Sequence, residues 1–585
     1  MFSVDLSTGE LRKQGHRVRL QEQPFQLLAM LLACPGELVT REELRKRLWA
    51  ADTFVDFDHG VNIAINKLRD ALGDSAEKPR FIETLPRRGY RFIAAVEPVQ
   101  AETGRAFAEW EERGLVRSKA EQGRVCSLAV LPLECLSNQA GEDFFADGMT
   151  DALITTLAQI SGLRVISRRS VMRYKSTRKS LPEIARELVV DVLVEGTVVR
   201  SANRVRITAQ LVDARTQTHL WAKQYESDLR DILTVQSQVA QAIAQEIQIK
   251  LTPQEQARFA SVRPVDPGAY EAFLKGRYWW NKRNPEALQK GLQFFQQAMD
   301  KDPGYAEAYV GVADSYIILA SAAYDAIPPR EAMPKAKAAA LKALELDPGL
   351  GEAHVSLARV LSAYDWEFLE AEREFKRTFE LSPNYPNAHH FYAVHLMGMG
   401  REEEAIAAER RALELDPLSL TFRHNLARAL HYAHRNEEAM AEERGILEMD
   451  PNFYQAHTLL GWVFLDQGQK EEAVAELRRA LDLSCGALIA LANLGYTQGV
   501  TGNRTGAVIM LESLRELSKQ RYIPAYHFAL VCAGLDQKDQ AFGWLDKAYQ
   551  ERSNYLLFLK VIDPMVPLRS DPRFQRLLRR VGLPA

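Results

Sequence analysis

The stretch VNIAINKLRDAL, residues 61–72, decides how the first part of this chain folds. Its apolar residues recur with the period of an α-helix and share one narrow stripe. The opposite side is polar apart from one isoleucine and fits a DNA major groove, where asparagine can pair with adenine and lysine can reach guanine or phosphate. The pattern predicts an amphipathic helix with a DNA-reading face. The stripe consists of Val61, Ile65, Leu68 and Leu72, and the outer face of Asn62, Ile63, Asn66, Lys67 and Asp70.

The segments on either side predict the remainder of a small α+β domain. Alternating apolar residues near the start indicate short strands, a helix follows Pro24, and Thr40 with Glu43 forms a capping box for a second helix. Beyond the quoted stretch, 81–85 and 90–93 read as strands joined by the turn PRRG, residues 86–89. No acidic residue lies between Thr84 and Phe92, so this hairpin favours phosphate.

These residues resemble the OmpR/PhoB-type winged-helix family over residues 1–98. The similarity lies in PGELVTREEL (35–44), in residues 61–72 as the recognition helix, and in FIET (81–84) leading to GYRF (89–92). The resemblance implies that residues 62–69 enter the major groove and that the hairpin contacts the minor groove or backbone. It also implies an RNA polymerase contact from the loop at 49–59. The resulting DNA-binding set is Asn62, Ile63, Asn66, Lys67, Arg69, Thr84, Arg87, Arg88, Tyr90 and Arg91.

Two features keep alternatives open. The family often has Arg-Gly after its Thr-x pair, whereas this chain has Pro86-Arg87 after Thr84-Leu85, which leaves the hairpin contact undecided. A polar helix face taken alone is also typical of a solvated surface. The order of strands, capped helix, amphipathic helix and basic hairpin favours DNA binding.

A linker (99–123) and an α/β domain (124–252) are predicted next. Residues 192–200 and 204–211 read as a hairpin, and 232–251 as a helix. VLP (130–132), FFADGMT (144–150) and VEG (194–196) are similar to the TolB N-terminal-like module. This resemblance implies the fold of the domain and does not settle what the domain senses. A basic run fits either an anionic ligand or, as we expect, a solvated surface. It comprises Arg164, Arg168, Arg169, Arg173, Lys175, Arg178 and Lys179.

From residue 265 to 585 the chain shows the tetratricopeptide pattern, with about eight repeats. Proline follows an acidic or polar residue at 303, 348, 383, 417 and 451, near the 34-residue period of such repeats. Stacked repeats form a groove that takes a protein or peptide, or another copy of the chain. A metal or pH role for its histidines is the alternative to an ordinary polar groove. The predicted groove residues are His390, His424, Arg428, His431, Gln455, Trp462 and Tyr496.

Composition bounds the function. The 585 residues are 46% hydrophobic and 26% charged with a net charge of −3, and they contain no apolar run long enough for a membrane span and no secretory signal. Five dispersed cysteines indicate neither disulfides nor a metal site, and the nucleotide, hydrolase and metalloprotease motifs are missing. We therefore expect a cytoplasmic, non-enzymatic regulator without cofactor or metal.

The expected fold class is multidomain: a winged helix-turn-helix, an α/β domain and an all-α solenoid. Because the winged helix begins at residue 1, we expect control to come from the C-terminal side. The function expected is that of a one-component, sequence-specific transcriptional regulator that binds double-stranded DNA. The alternative is an interaction scaffold whose winged helix no longer binds DNA specifically.

Overall fold

The computed structural model describes residues 2–5, 10–13, 16–18, 22–33, 38–40, 57–75, 79–85, 88–94, 127–136, 143–201, 203–261, 263–321, 324–484 and 486–584. The chain divides into two compact units, Met1–Gln122 and Gly123–Ala585, which are treated separately below. The predicted linker, the predicted second helix after Thr40 and most of the loop at 49–59 lie outside the described residues. Within the described ranges, no helix has the length and apolar character to cross a membrane.

The first unit contains two small antiparallel sheets and two described helices. Strands β1 (Phe2–Asp5), β2 (Glu10–Lys13) and β3 (His16–Val18) form one sheet in that order. Strands β4 (Leu38–Thr40), β5 (Ile82–Leu85) and β6 (Gly89–Phe92) form the other, with β6 in the centre. The helices are α1 (Glu22–Ala33) and α2 (Phe57–Leu72). This is the predicted arrangement of a winged helix, with the β5–β6 hairpin as the wing.

The core of the first unit lies between its helices and the wing sheet. Leu27, Leu31, Ile65 and Leu68 are each at most 1% exposed, because the 3.6-residue period aligns them on facing sides of α1 and α2. Gly89 at the start of β6 is required by a close approach, since a Cβ there would lie 2.0 Å from the Val39 carbonyl oxygen. Packing and pairing thus fix the wing against α2.

A mixed sheet forms the middle of the chain. It has the order β12-β11-β10-β7-β9, with β8 also pairing with β10. β10 is parallel to β7 and β8 and antiparallel to β11, and β7 is parallel to β9. The predicted hairpin is present, although its strands run on to residues 201 and 213. The strands are β7 (Ser127–Val130), β8 (Glu134–Cys135), β9 (Arg164–Val165), β10 (Val192–Ser201), β11 (Arg204–Asp213) and β12 (His219–Asp228).

Five helices and two 3₁₀ turns accompany this sheet. Helix α6 ends earlier than the predicted residue 251. The apolar faces of α3 and α6 pack with the sheet in one core that includes Met149, Val194, Ile207 and Val239. The helices are α3 (Asp143–Ala158), α4 (Arg168–Val171), α5 (Leu181–Leu188), α6 (Ile232–Glu246) and α7 (Pro253–Ala260), and the 3₁₀ turns are Met172–Tyr174 and Leu229–Asp231.

Eight antiparallel helix pairs follow in the described part of residues 267–550, numbered here as repeats one to eight. Small residues allow each pair to approach closely; a Cβ on Gly461 would lie 2.6 Å from Leu477 Cγ. The pairs are α8 (Pro267–Trp280) with α9 (Pro285–Lys301), α10 (Ala306–Leu319) with α11 (Pro329–Leu346), α12 (Gly351–Val360) with α13 (Phe368–Leu381), α14 (Pro386–Met399) with α15 (Glu402–Leu415), α16 (Leu420–Tyr432) with α17 (Asn436–Met449), α18 (Tyr454–Asp466) with α19 (Lys470–Leu483), α20 (Leu488–Val500) with α21 (Arg504–Ser518), and α22 (Ala525–Gly534) with α23 (Lys538–Gln550).

Irregular helical segments complete the repeats. A π-helical turn, Leu361–Asp365, extends α12. After α23 come 3₁₀ turns at Asn554–Phe558 and Asp563–Met565, then α24 (Val566–Arg569) and α25 (Pro572–Val581). Residues 552–571 are called the C-terminal segment below, because they leave the repeat pattern and turn back toward earlier repeats.

The middle domain is docked on the repeats. Arg277 of α8 donates two hydrogen bonds to Asp151 of α3, at 2.9 and 3.1 Å. Farther along the solenoid, the Ser170 hydroxyl donates to Asp416 at 2.5 Å. Because these bonds reach both the first and the fourth repeat, the middle domain and the repeats form one packed body.

Candidate nucleic-acid interface and repeat groove

Helix α2 presents two polar side chains outward. Asn66 and Lys67 are exposed, whereas Ile65 and Leu68 on the other side are 1% and 0% exposed. Asn62 and Ile63 belong to the same helix, and their side chains lie outside the described part of the structure. The predicted division of this helix into an inner apolar and an outer polar face is therefore present where side chains are described.

Arg69 does not belong to the outward face. It is 6% exposed, and its Nη2 donates to the Ile82 carbonyl at 2.9 Å and to Thr84 Oγ1 at 2.7 Å. The prediction that Arg69 meets DNA directly is corrected, because its side chain is buried and bonded to the wing. Thr84 is half-buried and accepts one of these bonds, and its contact with DNA stays a prediction. Their bond ties the recognition helix to the first strand of the wing.

A second connection between α2 and the wing was not predicted. Asp74, just after α2, accepts backbone N–H bonds from Arg80, Phe81 and Ile82 at 2.6, 3.2 and 2.8 Å. Burial opposes ionisation of this carboxyl, but the backbone hydrogen bonds outweigh it and lower its pKa. An aspartate directly after a helix and before a strand is the sequence signal for such a clip.

The wing carries fewer available contacts than the sequence suggested. Arg88 is exposed at the turn, whereas Arg87 is outside the described residues. Arg91 lies 3.6 Å from Glu83, its neighbour across the β5–β6 pair, so its charge is partly balanced. Tyr90 is 2% exposed and belongs to the core, which corrects its prediction as a DNA contact.

The predicted groove histidines His390 and His424 instead join the two helices of their own repeats. His390 Nδ1 lies 2.8 Å from Glu409 Oε1, and His424 Nδ1 lies 2.6 Å from Glu443 Oε1. The same bond recurs in the repeats on either side, and in each pair the glutamate comes 19 or 20 residues after the histidine. We call these four pairs the His–Glu ladder: His354–Glu374, His390–Glu409, His424–Glu443 and His457–Glu476.

Burial shifts the pKa of three groups of the ladder: Glu409, Glu443 and His390. It raises the pKa of Glu443 and raises that of Glu409 well above its usual range. Burial, with the nearby guanidinium of Arg359, lowers the pKa of His390 well below its usual range. The His390–Glu409 pair is therefore a neutral hydrogen bond inside the repeat and not a ligand contact. A histidine 19 residues before a glutamate at the repeat period is the signal that sequence reasoning missed.

The C-terminal segment lies at four more of the predicted groove residues: Arg428, His431, Trp462 and Tyr496. His431 is 3% exposed, and its Nε2 lies 2.8 Å from Asp563 Oδ2. The guanidinium of Arg428 lies 5.1 Å from the Phe558 ring centroid. Trp462 and Tyr496 are 8% and 5% exposed and share one apolar cluster with Tyr555, Leu556, Leu559 and Met565.

The expected open groove is therefore corrected. At the described positions His390, His431, Trp462 and Tyr496 are buried, and Gln455, His424 and Arg428 are partly exposed. The C-terminal segment also reaches earlier repeats. Tyr555 donates to Asp325 at 3.0 Å, and Asn554 donates to the Ala320 carbonyl at 2.6 Å. Leu557 packs directly on Gly398, since a Cβ at that glycine would lie 2.5 Å from Leu557 Cγ.

One set of possible cation ligands exists within the described residues: His431, Asp466 and Asp563, with ligand atoms within 4.8 Å of one another. Both ring nitrogens of His431 already have partners, Asp563 at 2.8 Å and Asn436 at 2.8 Å. Burial opposes protonation of this histidine, but Asp563 outweighs it and raises its pKa. His431 and Asp563 therefore form a charged hydrogen-bond pin, and Asp466 lies 3.9 Å from the His431 ring without a hydrogen bond to it.

The fold and the exposed face of α2 define a winged-helix regulatory domain followed by a sheet-containing domain and a tetratricopeptide-like solenoid. Residues 15–92 match the family model "Transcriptional regulatory protein, C terminal", and residues 124–245 match "HilA/YgeH-like transcriptional regulator, second domain". Residues 454–484 match the tetratricopeptide repeat. The chain thus contains an OmpR/PhoB-type domain, a HilA-like domain and a tetratricopeptide repeat. The similarity of residues 124–252 to the TolB module stays a prediction.

Two relatives show how far the similarity extends. The chain is 24% identical over 406 residues to "Transcriptional regulator HilA" of Salmonella typhimurium, and this alignment covers 68% of this chain and 66% of that protein. It is 37% identical over 187 residues to "Putative adenylate cyclase 3" of Rhizobium meliloti, which covers 32% of each. Among solved structures, the tetratricopeptide protein YrrB is 20% identical with a TM-score of 0.25, covering 34% of this chain and 95% of YrrB.

Proposed function

We propose that this protein is a transcriptional regulator that binds double-stranded DNA sequence-specifically through α2 and the wing. The observation that carries the proposal is the outward position of Asn66 and Lys67 on a helix held by its buried face. Asparagine reads adenine bidentately and lysine reaches guanine or phosphate, so this face suits the major groove. The proposed DNA-contacting set is Asn62, Ile63, Asn66, Lys67, Arg87, Arg88 and Arg91.

Arg69 and Asp74 have a different role in this proposal. Both join α2 to β5 through hydrogen bonds, so they fix the angle between the recognition helix and the wing. Base readout depends on that angle, because the helix must lie in the groove while the wing reaches the neighbouring backbone. They are positioning residues.

We further propose that the second unit controls DNA binding without catalysing a reaction. The support is its construction as one packed body, in which the middle domain docks on the repeats and the C-terminal segment covers the groove. A protein partner, or a second copy of the chain, would act on this body. Contact between the loop at 49–59 and RNA polymerase, and a cytoplasmic site of action beside the DNA, belong to the same proposal.

The cyclase relative does not alter this proposal. Only about a third of that protein is spanned by this chain, and its printed activity is a property of that protein. Among the described polar groups of the second unit, the four pairs of the His–Glu ladder form structural bonds within the repeats. We therefore propose no enzymatic activity.

The test is a mobility-shift titration of the full chain on duplex DNA from upstream of its own gene and on a random duplex of equal length. We expect tighter binding to the upstream DNA and a log affinity that falls linearly with log salt. Changing Arg87 and Arg88 to alanine should flatten that slope. Equal binding to both duplexes would contradict specific regulation and favour the scaffold alternative.

A further inference from the structure

A cavity of about 260 Å³ lies between the middle domain and the repeats. Its wall is built from five segments: α3, residues 165–172, the end of α8 with the turn after it, residues 384–387 before and within α14, and Asp416 just after α15. The basic run of the middle domain reaches this cavity through Arg168 and Arg169.

Four guanidinium groups face this cavity: those of Arg168, Arg169, Arg277 and Arg283. Among the described residues of the wall, two carboxylates accompany them, and both already have partners. Asp151 accepts two hydrogen bonds from Arg277, and Asp416 accepts one from Ser170 at 2.5 Å. Burial also raises the pKa of Asp416. The cavity therefore has an excess of positive charge.

Arg168, Arg169 and Arg283 form no ion pair with any residue that the structure describes. Arg169 donates only to hydroxyls, at 3.2 Å to Thr421 and 3.4 Å to Ser419. The Nε of Arg168 is buried without a hydrogen-bond partner in the described structure. A charged donor buried without an acceptor is costly, so the Arg168 Nε indicates a missing anionic partner. Arg169 is exposed and adds a further positive charge beside it.

Arg283 is held in place toward the cavity. Its guanidinium lies 3.6 Å from the centroid of the Trp280 ring, and its carbonyl accepts a hydrogen bond from Tyr324 at 2.5 Å. Burial and the nearby charge of Arg169 lower its pKa to about 9. A bound anion would relieve both effects, because it replaces lost hydration and screens the two like charges.

The helix geometry at the opposite wall also favours negative charge. Pro386 and Asn387, at the N-terminus of α14, line the cavity, and the N-cap residue Tyr385 provides no side-chain cap. This 14-residue helix places the positive end of its dipole there. Pro386 has no N–H and the Ala388 N–H donates to the Tyr385 carbonyl at 3.0 Å, so the contribution of the helix end is its dipole.

We propose that this cavity binds a small phosphate-type anion carrying at least two negative charges. Arginine forks match phosphate oxygens bidentately, and a cavity of about 260 Å³ has room for a phosphate or pyrophosphate group. The anion would join Arg168 and Arg169 of the middle domain to Arg283 of the first repeat. Binding would thus strengthen the docking of the middle domain on the solenoid, which makes the site an input to the second unit.

The test is calorimetric titration of the full chain with sodium pyrophosphate, and separately with inorganic phosphate, at constant ionic strength kept with sodium chloride. We expect one saturable site per chain and a higher melting temperature with pyrophosphate. Arg283→Gln should weaken binding at least tenfold, since it removes one charged fork. Arg178→Gln, from the same basic run but exposed and outside the cavity, should change affinity less than twofold.

Arg168→Gln provides a second variant in case Arg283→Gln does not fold, and we expect the same tenfold loss. Saturable pyrophosphate binding that both cavity variants weaken and Arg178→Gln does not would support the site. No saturable binding of either anion to the wild-type chain would overturn it. Cavity variants that fold and bind as tightly as the wild type would overturn it as well.

Discussion

His431 Nε2 lies 2.8 Å from Asp563 Oδ2, so a helix of the fifth repeat is joined to a segment 132 residues later in the chain. The side chain of His431 is 3% exposed and that of Asp563 is 27% exposed. This pin holds the C-terminal segment over the positions where an open groove was expected. The contacts of that segment therefore decide whether the groove is available to a partner.

Removing the pin should loosen the C-terminal segment. Asp563→Ala leaves the buried imidazole without its acceptor, and we expect a loss of about 1–2 kcal/mol in local stability. Hydrogen exchange of the peptide covering 554–569 should become roughly tenfold faster. Asp546→Ala removes an exposed ion pair with Arg580 and should cost less than about 0.5 kcal/mol. Equal exchange in the two variants would contradict the role of the pin.

The pin should also be sensitive to pH. The pKa of His431 is raised in the folded protein. Its bond to Asp563 therefore contributes fully to the stability of the fold below the pKa of an unfolded histidine, about 6.5. That contribution is lost as the pH rises through the folded pKa. Urea unfolding of wild type and His431→Gln should therefore differ more at about pH 5.5 than at about pH 8.5. A difference that grows with pH would show the opposite linkage.

His395 should show the reverse behaviour. Burial lowers its pKa to about 4, and its Nδ1 lies 2.8 Å from the Ser362 hydroxyl. A depressed histidine pKa stabilises the fold above the unfolded value of about 6.5, and this contribution is lost as the pH falls toward about 4. In urea unfolding, the free energy of unfolding of His395→Gln should fall less between about pH 6.5 and about pH 4 than that of the wild type. The same decrease in the free energy of unfolding in variant and wild type would contradict burial of a neutral His395 ring.

The His–Glu ladder should show energetic coupling within a repeat. In the sixth repeat, His457 Nδ1 lies 2.6 Å from Glu476 Oε2, and a double-mutant cycle with alanine should give about 1 kcal/mol of coupling. The exposed pair Lys519–Glu516 is a matched control and should give less than about 0.5 kcal/mol. Coupling no larger than that of the control would mean that the ladder does not stabilise the repeats.

Arg69 should act on the wing through structure. Arg69→Met keeps an apolar stem of similar length but removes the bonds to Ile82 and Thr84, at a cost of about 1–3 kcal/mol. Exchange of the peptide covering 82–92 should become at least about tenfold faster. Arg80→Ala removes an exposed cation two residues before β5 and keeps the backbone N–H that donates to Asp74, so it should leave the exchange rate unchanged within experimental scatter. The same protection in both variants would contradict a link between α2 and the wing.

Local periodicity explains what the sequence could predict. Ile65, Leu68 and Leu72 lie on one face because helix geometry alone determines it, and the repeat period likewise follows from residues about 34 apart. Arg69 lies four residues after Ile65 and shares that inner face, yet its charge suggested an exposed side chain. Its acceptors, Ile82 and Thr84, come from a strand whose position depends on tertiary packing.

Long-range contacts explain what the sequence could not predict. Nothing near His431 in sequence indicates Asp563, and nothing in the basic run indicates that Arg168 and Arg169 meet Arg283 of the first repeat. The groove was inferred from what isolated repeats present on one side. The chain's own C-terminal segment and middle domain compete for those surfaces, and only the tertiary fold shows this.

The most direct measurement compares the affinity of Asn66→Ala with wild type on upstream and random duplexes, with Arg80→Ala as control. Loss of a bidentate base contact should cost about 1–3 kcal/mol on the upstream duplex and much less on the random one, so the specificity ratio should fall roughly 5- to 150-fold. Arg80→Ala should keep the wild-type ratio. An Asn66→Ala protein that keeps it too would contradict sequence reading by the outer face of α2.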